Sequence, residues 1–278
     1  MNWFAFLTRS KGFWHLFRRM QSVVSRYGLT TTQMRRQLDQ LNQILDVNKC
    51  SGTFPITAIA LKRHPEIIRC MAQRGIEFAV HGYLHIDHSE LSEEVQHQHL
   101  TQALQVFEKN NIPCYGFRSP YLQWNNGTLK ALKNQGLSYV SNEPILWDVL
   151  DGQPISPLTL SAYKRVIDFY RAKSADDYFS IPRLVEDFLN IPVALPDDEM
   201  LVERLGFDDG TSIGKPWLSI LEQTYNRGEL FTLSLHPERT KVCYDALSAV
   251  LTEARQRRPA VWSRQLDLLR LLLRRRDR

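Results

Sequence analysis

The stretch Glu77-Phe78-Ala79-Val80-His81-Gly82-Tyr83-Leu84-His85-Ile86-Asp87-His88 constrains this chain most, because a short apolar run stops abruptly at a cluster of metal-competent side chains. Residues 76–80 read as a buried strand, and side chains just past the carboxyl end of such a strand face the ligand crevice of α/β folds. Two imidazoles four residues apart can grip one metal ion, and a helical turn after His81 would project both rings from one face. Neutral imidazole suits zinc and neighbouring divalent metals, and hydrolytic sites commonly complete such a pair with a carboxylate and a water. His81 and His85 are therefore the candidate ligands, against the plainer reading of surface histidines on a loop. His88 is expected to be solvated or to support the ligands.

The rest of the chain limits what this cluster can belong to. Its 278 residues are 43% hydrophobic, ample for a packed α/β core. Strand and helix signals alternate over residues 53–235 with no low-complexity linker and no internal repeat, which favours one domain spanning residues 1–278. Cys50, Cys70, Cys114 and Cys243 are scattered without CxxC spacing, so neither a zinc knuckle nor a disulfide framework is suggested, and a reducing compartment is the simpler assumption. Near the start, Trp3, Phe4, Phe6 and Leu7 are interrupted by Arg9 and Lys11, well short of a signal peptide or a membrane span. A cytoplasmic protein is expected.

The net charge of +5 hides an uneven distribution. Residues 1–36 hold seven basic and no acidic residues, and residues 255–278 hold nine basic and two acidic, so the middle carries 19 basic against 28 acidic. Basic helices are expected at residues 1–30 and 256–278. The first, with Phe13, Trp14, Leu16 and Phe17 beside Arg18 and Arg19, is a candidate for peripheral contact with an anionic membrane, or equally an outer helix packed on the domain. The final arginines suit a solvated helix C-terminus. Nucleic-acid binding is not expected, because no recognised module or central basic face accompanies these ends.

The spacing predicts helices over residues 31–45, 64–74, 92–109 and 126–135, with further helical segments near 199–205 and 217–226. Strands are predicted at 53–59, 76–80, before Phe117, and at 137–140, 191–195 and 230–235. This alternation points to a parallel sheet or barrel.

Gly116-Phe117-Arg118-Ser119-Pro120-Tyr121 is a second motif, and with the first it resembles the polysaccharide deacetylases, the NodB-homology group of carbohydrate esterase family 4. Thr53-Phe54-Pro55-Ile56-Thr57-Ala58 resembles that family's second strand, His81 and His85 its paired metal histidines, and Arg118 to Tyr121 its RxPY element. Trp147 and Asp148 stand where its loosely defined fourth element would be, and Leu233-Ser234-Leu235-His236 resembles its last, a strand delivering a histidine. The resemblance implies a distorted (β/α) barrel that removes acetyl groups from N-acetylated sugars with one divalent metal ion, most readily zinc. It implies His236 as the general acid, the Tyr121 backbone N–H as an oxyanion donor and Arg118 as the residue that orients the catalytic carboxylate. A structural salt bridge for Arg118 and a core position for His236 are the plain alternatives. Trp124, Asn125 and Trp147 are the candidate substrate contacts. Aromatic residues of the 150–189 segment, among them Tyr163, Phe169, Tyr170, Tyr178 and Phe179, would form a lid over sugar rings or pack on the barrel.

One departure is serious. Family members begin with a strand ending in an aspartate pair, one base and one metal ligand, yet no such pair precedes Thr53, and residues 21–28 hold no carboxylate. Phe207-Asp208-Asp209-Gly210 imitates the motif in letters but reads as a turn. Pro196-Asp197-Asp198-Glu199 follows the apolar run 191–195, so a strand end would carry both aspartates into the crevice, although the same letters suit a helix N-cap. The expectation is that Asp198 or Asp197 completes a metal site with His81 and His85 while the other acts as base, Asp198 as ligand and Asp197 as base being the first choice. Asp87 is the reserve ligand. Two other readings stay open: a glycan-binding relative with impaired catalysis, and a hydrolase of other C–N bonds such as cyclic amides.

Overall fold

Short parallel strands, each running into a loop that carries a candidate site residue, make up the centre of the molecule. The structure, a computed structural model, describes residues 31–257 except 134 and 154, together with residues 264, 265 and 267. Helix α1 (Thr31–Val47) leads into β1 (Thr53–Ile56), α2 (Ala58–Arg63), α3 (Pro65–Gln73) and β2 (Glu77–Val80). Then come α4 (Glu93–Lys109), β3 (Cys114–Phe117), α5 (Asn126–Leu132), β4 (Tyr139–Val140) and β5 (Pro144–Leu146). The second half holds α6 (Pro157–Tyr170), β6 (Lys173–Ser174), β7 (Arg183–Val185), β8 (Phe188–Asn190), β9 (Val193–Leu195), α7 (Gly210–Arg227) and α8 (Thr240–Gln256).

Strand β1 pairs with β2, β2 with β3, β3 with β4 and β4 with β8, all parallel, and β7 closes that sheet antiparallel to β8. A second sheet has the order β6-β5-β9, also parallel. Because β4 runs into β5 and β8 into β9 after a few residues, the second sheet carries the β4–β8 pairing onward. Helices cover the strands, as parallel connections require. Two apolar cores result. One packs α1, α3, α4 and β1 to β3 around Phe78, Leu100, Phe107 and Phe117, and the other packs α7, α8 and β9 around Trp147, Trp217 and Ile213.

Most expected elements appear with trimmed ends. The strand read over 53–59 stops at Ile56, because Thr57 turns the chain into α2, and the helix read over 126–135 stops at Leu132. Ser92 caps α4 through Val95 N–H, as its position before the apolar periodicity predicts. Residues 230–235 are not a ladder strand: they meet β9 through one bond, Ala194 N–H to the Thr232 carbonyl at 3.1 Å. Among the described residues β1 has no partner on its outer edge, so they do not close the sheet into a full barrel. Residues 21–28, where the family's first strand is expected, and the basic N-terminal helix lie outside the described residues, as does most of the basic C-terminal stretch. No helix among the described residues is long and apolar enough to cross a membrane.

A buried polar pin holds the strands in register beneath the site. Tyr139 donates its hydroxyl to Glu77 Oε1 at 2.6 Å, and Thr53 donates to Oε2 at 2.6 Å, tying β4, β2 and β1 together. Burial and the Glu77 carboxylate push the Tyr139 phenol far above its ordinary pKa, so it remains a donor. Tyr139 reaches Glu77 only because Gly116 lies between them: a Cβ there would sit 1.9 Å from the Tyr139 ring. Gly116→Ala is therefore expected to displace the ring and destabilise the fold by about 2–3 kcal/mol, at the upper end of the usual cost of overpacking. A urea unfolding midpoint equal to wild type would refute this account of the pin.

Candidate functional site

Parallel strands bring their carboxyl ends to one side of the sheet, and that side collects the candidate residues. His81 follows β2, and its N–H donates to the Ile56 carbonyl at 2.9 Å. Gly82 then takes φ +81°, a left-handed turn that lets its carbonyl accept from Ala58 N–H at 3.0 Å, so the histidine loop is stitched to the end of β1. Arg118 follows β3 with its N–H on the Val80 carbonyl at 3.0 Å. Asp197 and Asp198 follow β9, and His236 ends the extended segment beside it. Trp217 Nε1–H donates to the Pro196 carbonyl at 3.2 Å, anchoring the chain just before the aspartates to the second core.

The two histidines are arranged as ligands are. His81 Nδ1 lies 2.7 Å from the Arg118 carbonyl, an acceptor, so Nδ1 carries the proton and Nε2 keeps its lone pair. The His85 ring stands 4.9 Å from that of His81 in an edge contact. Burial drives the His81 pKa down to about 3, the accepted hydrogen bond of the carbonyl opposing it, and burial lowers that of His85. Both are neutral at physiological pH, the form that binds a metal.

Asp198 is the most constrained group. It is 0% exposed. Its Oδ1 is 2.7 Å from His236 Nδ1 and its Oδ2 accepts the His236 backbone N–H at 2.8 Å, with Arg239 Nη1 a further 3.5 Å away. The carboxylate therefore fixes His236 at two points. Burial alone would lower the His236 pKa, but the Asp198 charge and hydrogen bond outweigh it and raise it to about 9. Asp197, also buried, receives Met200 N–H at 3.0 Å on Oδ1. Loss of hydration, then repulsion from Asp198, lift its pKa to about 6. A carboxyl raised towards neutrality beside an imidazole raised above it is an arrangement for moving protons in both directions.

The geometry bears on the third member expected of the metal site. Asp198 was expected to complete it with His81 and His85, but its oxygens are engaged by His236, and its ligand atoms group within 4.8 Å with those of Asp197 and His236. Among the described residues no third carboxylate, imidazole or thiolate forms such a group with His81 and His85. Asp87, the reserve ligand, caps the turn His88–Glu90 by accepting from Ser89 N–H at 2.8 Å. His88, expected to be solvated or to support the ligands, is buried against Phe117, with neither ring nitrogen hydrogen-bonded among the described residues.

The substrate contacts are also redistributed. Asn125 caps α5, exchanging hydrogen bonds with Thr128 while its Nδ2 donates to the Ser89 carbonyl at 3.0 Å, so its side chain is committed to the fold. Trp147 is 1% exposed in the second core and cannot meet a ligand. Trp124 packs against the first core. The lid segment splits: Tyr163 is buried and Tyr178 lies between Lys173 and Arg183, whereas Phe169 is 49% exposed. Phe169 stands 6.3 Å from the Tyr121 ring, which itself meets His85 at 4.5 Å. Tyr121 and Leu122 both take left-handed backbone conformations, φ 57° and 56°, uncommon for residues with side chains and frequent at functional sites.

Below the strand ends a cleft of about 750 Å³ opens, with His81, Arg118 and His236 at its polar end and Leu41, Phe54, Leu233 and Leu247 among its apolar walls. Arg118 Nε donates to the Ser141 carbonyl at 3.1 Å, Nη2 to Ser141 Oγ at 2.7 Å and Nη1 to Ser234 Oγ at 3.3 Å. Ser141 Oγ also accepts from Gln265 Nε2 at 3.0 Å and donates to the Ile191 carbonyl at 2.9 Å, so it is saturated and rigid. Ser141 and Gln265 carried no signal in the sequence, and Ser234 entered only as a letter of the motif ending at His236.

Residues 29–140, which include His81, His85, Arg118 and Tyr121, match the family model of the polysaccharide deacetylases. No curated protein matches the chain in sequence. Among solved structures, a Mycobacterium smegmatis protein named as a polysaccharide deacetylase is 20% identical with a TM-score of 0.63, covering 87% of this chain and 78% of its own. A Pseudomonas aeruginosa PAO1 protein of the same description is 19% identical with a TM-score of 0.64 over 84% and 71% of the two chains. The allantoinase Puue is 19% identical with a TM-score of 0.62 over the same shares. By that match over residues 29–140 and by its fold, the chain resembles the polysaccharide deacetylases of the NodB-homology group, with a divergent first motif.

Proposed function

We propose that this protein is a metal-dependent hydrolase that removes the N-acetyl group from an N-acetylated sugar or polysaccharide intermediate. The observation that carries the reading is the Asp198–His236 pair, a buried carboxylate holding an imidazole in its protonated form at the same strand ends as two neutral histidines. A binding module has little use for a fixed proton donor facing a metal-competent pair.

His81 and His85 fit a borderline divalent ion such as zinc, since both are neutral and His81 Nδ1–H is turned to a carbonyl. When bound, that ion would supply Lewis acidity towards the acyl oxygen and the attacking water. The chain's own groups then have distinct tasks. Asp197, its pKa near 6, accepts a proton from the water that adds to the acetyl carbon. His236 donates its Nε2 proton to the amide nitrogen as the C–N bond breaks, releasing acetate and the free amine. Asp198 holds His236 Nδ1 and stabilises the imidazolium. The Tyr121 N–H is the proposed donor to the oxygen that gains charge, and Phe169, exposed beside Tyr121, is the proposed stacking surface for a sugar ring.

Two measurements test these roles. With an N-acetylated chito-oligosaccharide as substrate, kcat/KM is expected to rise through about pH 6, as Asp197 ionises, and to fall through about pH 9, as His236 loses its proton. Asp198→Asn should lower kcat by roughly 10²–10⁴-fold, the usual range for general acid–base catalysis, and move the alkaline limb down towards the ordinary histidine value. An alkaline limb unmoved by that substitution would remove Asp198 from the mechanism.

Metal content separates the ligands from the proton-transfer pair. Elemental analysis of protein purified without chelator is expected to find about one equivalent of divalent metal per chain, as for a single catalytic site. His81→Ala and His85→Ala should lose it, while Asp198→Asn retains it. Loss in Asp198→Asn with retention in the histidine variants would instead place the ion among Asp197, Asp198 and His236. Absence of metal from every variant, even after incubation with zinc, would favour a glycan-binding relative.

A further inference from the structure

Among the described residues, charged side chains away from open solvent differ in how they are met. Glu143 is met by both Lys173 and Arg183, and Asn190 Nδ2 donates to it at 2.9 Å. Asp198 is met by His236 and Arg239. Arg118 has no carboxylate within 4.0 Å among the described residues: its three hydrogen bonds go to the carbonyl and hydroxyl of Ser141 and the hydroxyl of Ser234. Asp197 acts on it only at longer range. A guanidinium has five N–H donors, so two remain for something else, and it cannot shed its charge to escape burial as a lysine can. Outside the described residues, 1–30 contain no Asp or Glu and 258–278 contain Asp277. Asp267 receives Arg264 Nε and Nη2 at 2.7 and 2.8 Å.

The surroundings of Arg118 hold both signs: His236 is cationic, and Asp197 acts on the guanidinium at longer range. Arg118 lines the polar end of the cleft with His81 and His236, and Arg264 and Gln265 are on the same wall. The acidic residue in that lining, Glu229, sits apart at the turn after α7, with Oε2 receiving Ser180 N–H at 2.8 Å. The guanidinium is held by strand-borne oxygens and by a serine that Gln265 and Ile191 saturate, so its plane is set before any ligand arrives. Fixed, desolvated and short of a partner, such a group is suited to bidentate recognition of a carboxylate.

The geometry points to Arg118 as the seat for a carboxylate carried by the ligand, which makes the preferred substrate an N-acetylated sugar acid rather than a neutral N-acetyl sugar. This rests on the hydrolase reading for the sugar and acetyl parts, but the carboxylate contact stands on the cleft alone. Arg118 is then a specificity residue, and Ser141, Ser234 and Gln265 position it.

The test compares three probes by calorimetry at pH 7: 2-acetamido-2-deoxy-D-glucuronate, its methyl ester and N-acetylglucosamine. They share the acetamido ring and differ at one carbon. The acid is expected to bind at least about tenfold more tightly than either neutral probe, the scale of one charge-assisted bidentate contact. Arg118→Gln, with its thermal unfolding checked against wild type, should bring the three affinities together. Equal binding of acid and ester to the wild-type chain overturns the proposal without reliance on any variant, as does failure of all three to bind. A preference for the acid that survives in Arg118→Gln overturns it too. Turnover of N-acetylglucosamine oligomers with no preference for the acid would sink the carboxylate seat and leave the deacetylase reading standing. A clear acid preference with no release of acetate would do the reverse.

Discussion

Asp198 is sealed from water, and an ionised carboxylate at that depth is tolerable only when donors and positive charge surround it. His236 provides a backbone N–H and a charged ring N–H, and Arg239 adds a second positive charge at 3.5 Å. The exchange works both ways, because the carboxylate that needs the imidazolium also raises its pKa to about 9. Much of the second half of the chain serves this contact. Strand β9 ends where the aspartates begin, Trp217 holds the Pro196 carbonyl, and Arg239 is kept in place by Glu203 and Glu238. Without the pair, a buried anion would lie beside Asp197, whose own carboxyl is already pushed towards protonation.

The placement of the candidate histidines was legible because their signal is local. An apolar run ending at His81 specifies a strand end, and a strand end specifies the crevice, so the sequence placed His81 and His85 correctly at the carboxyl side of β2. Placement of Asp197 and Asp198 at the end of the apolar run 191–195 was legible for the same reason. The helix caps were also readable: Ser92 before α4 is a matter of one turn of chain. Strand 230–235 was only half legible, since its apolar letters are real but among the described residues a single bond, from Ala194 N–H to the Thr232 carbonyl, joins it to β9.

What could not be read is pairing between distant segments. Asp198 and His236 are separated by 38 residues, and nothing in either neighbourhood says that the carboxylate meets the imidazole. Asn125 looked like a sugar contact because it follows the Arg118 motif, yet a helix begins there and its oxygen was needed at the N-terminus. Trp147 had the right letters for a binding surface, but β5 is covered by the second core, which swallows it. The hairpin of β7 and β8 escaped notice because Glu186 and Asp187 at its turn are not the residues that announce one, although Glu186 takes φ 51°.

The divergent first motif becomes less puzzling once the geometry of a parallel sheet is considered. Neighbouring strands lie about 4.8 Å apart and all deliver their ends to the same side, so a carboxylate moved from one strand to another still faces the same crevice. What changes is the charge each carboxylate can reach. An aspartate after β9 falls beside His236 and Arg239 and is drawn into holding that imidazole, while Arg118, across the crevice after β3, keeps only neutral oxygens. Acidic groups placed in this way form a carboxylate–imidazole pair and leave Arg118 with neutral oxygens as its hydrogen-bond partners. A substrate can provide a charged partner, and the departure from the family pattern then becomes a source of selectivity rather than a loss of chemistry.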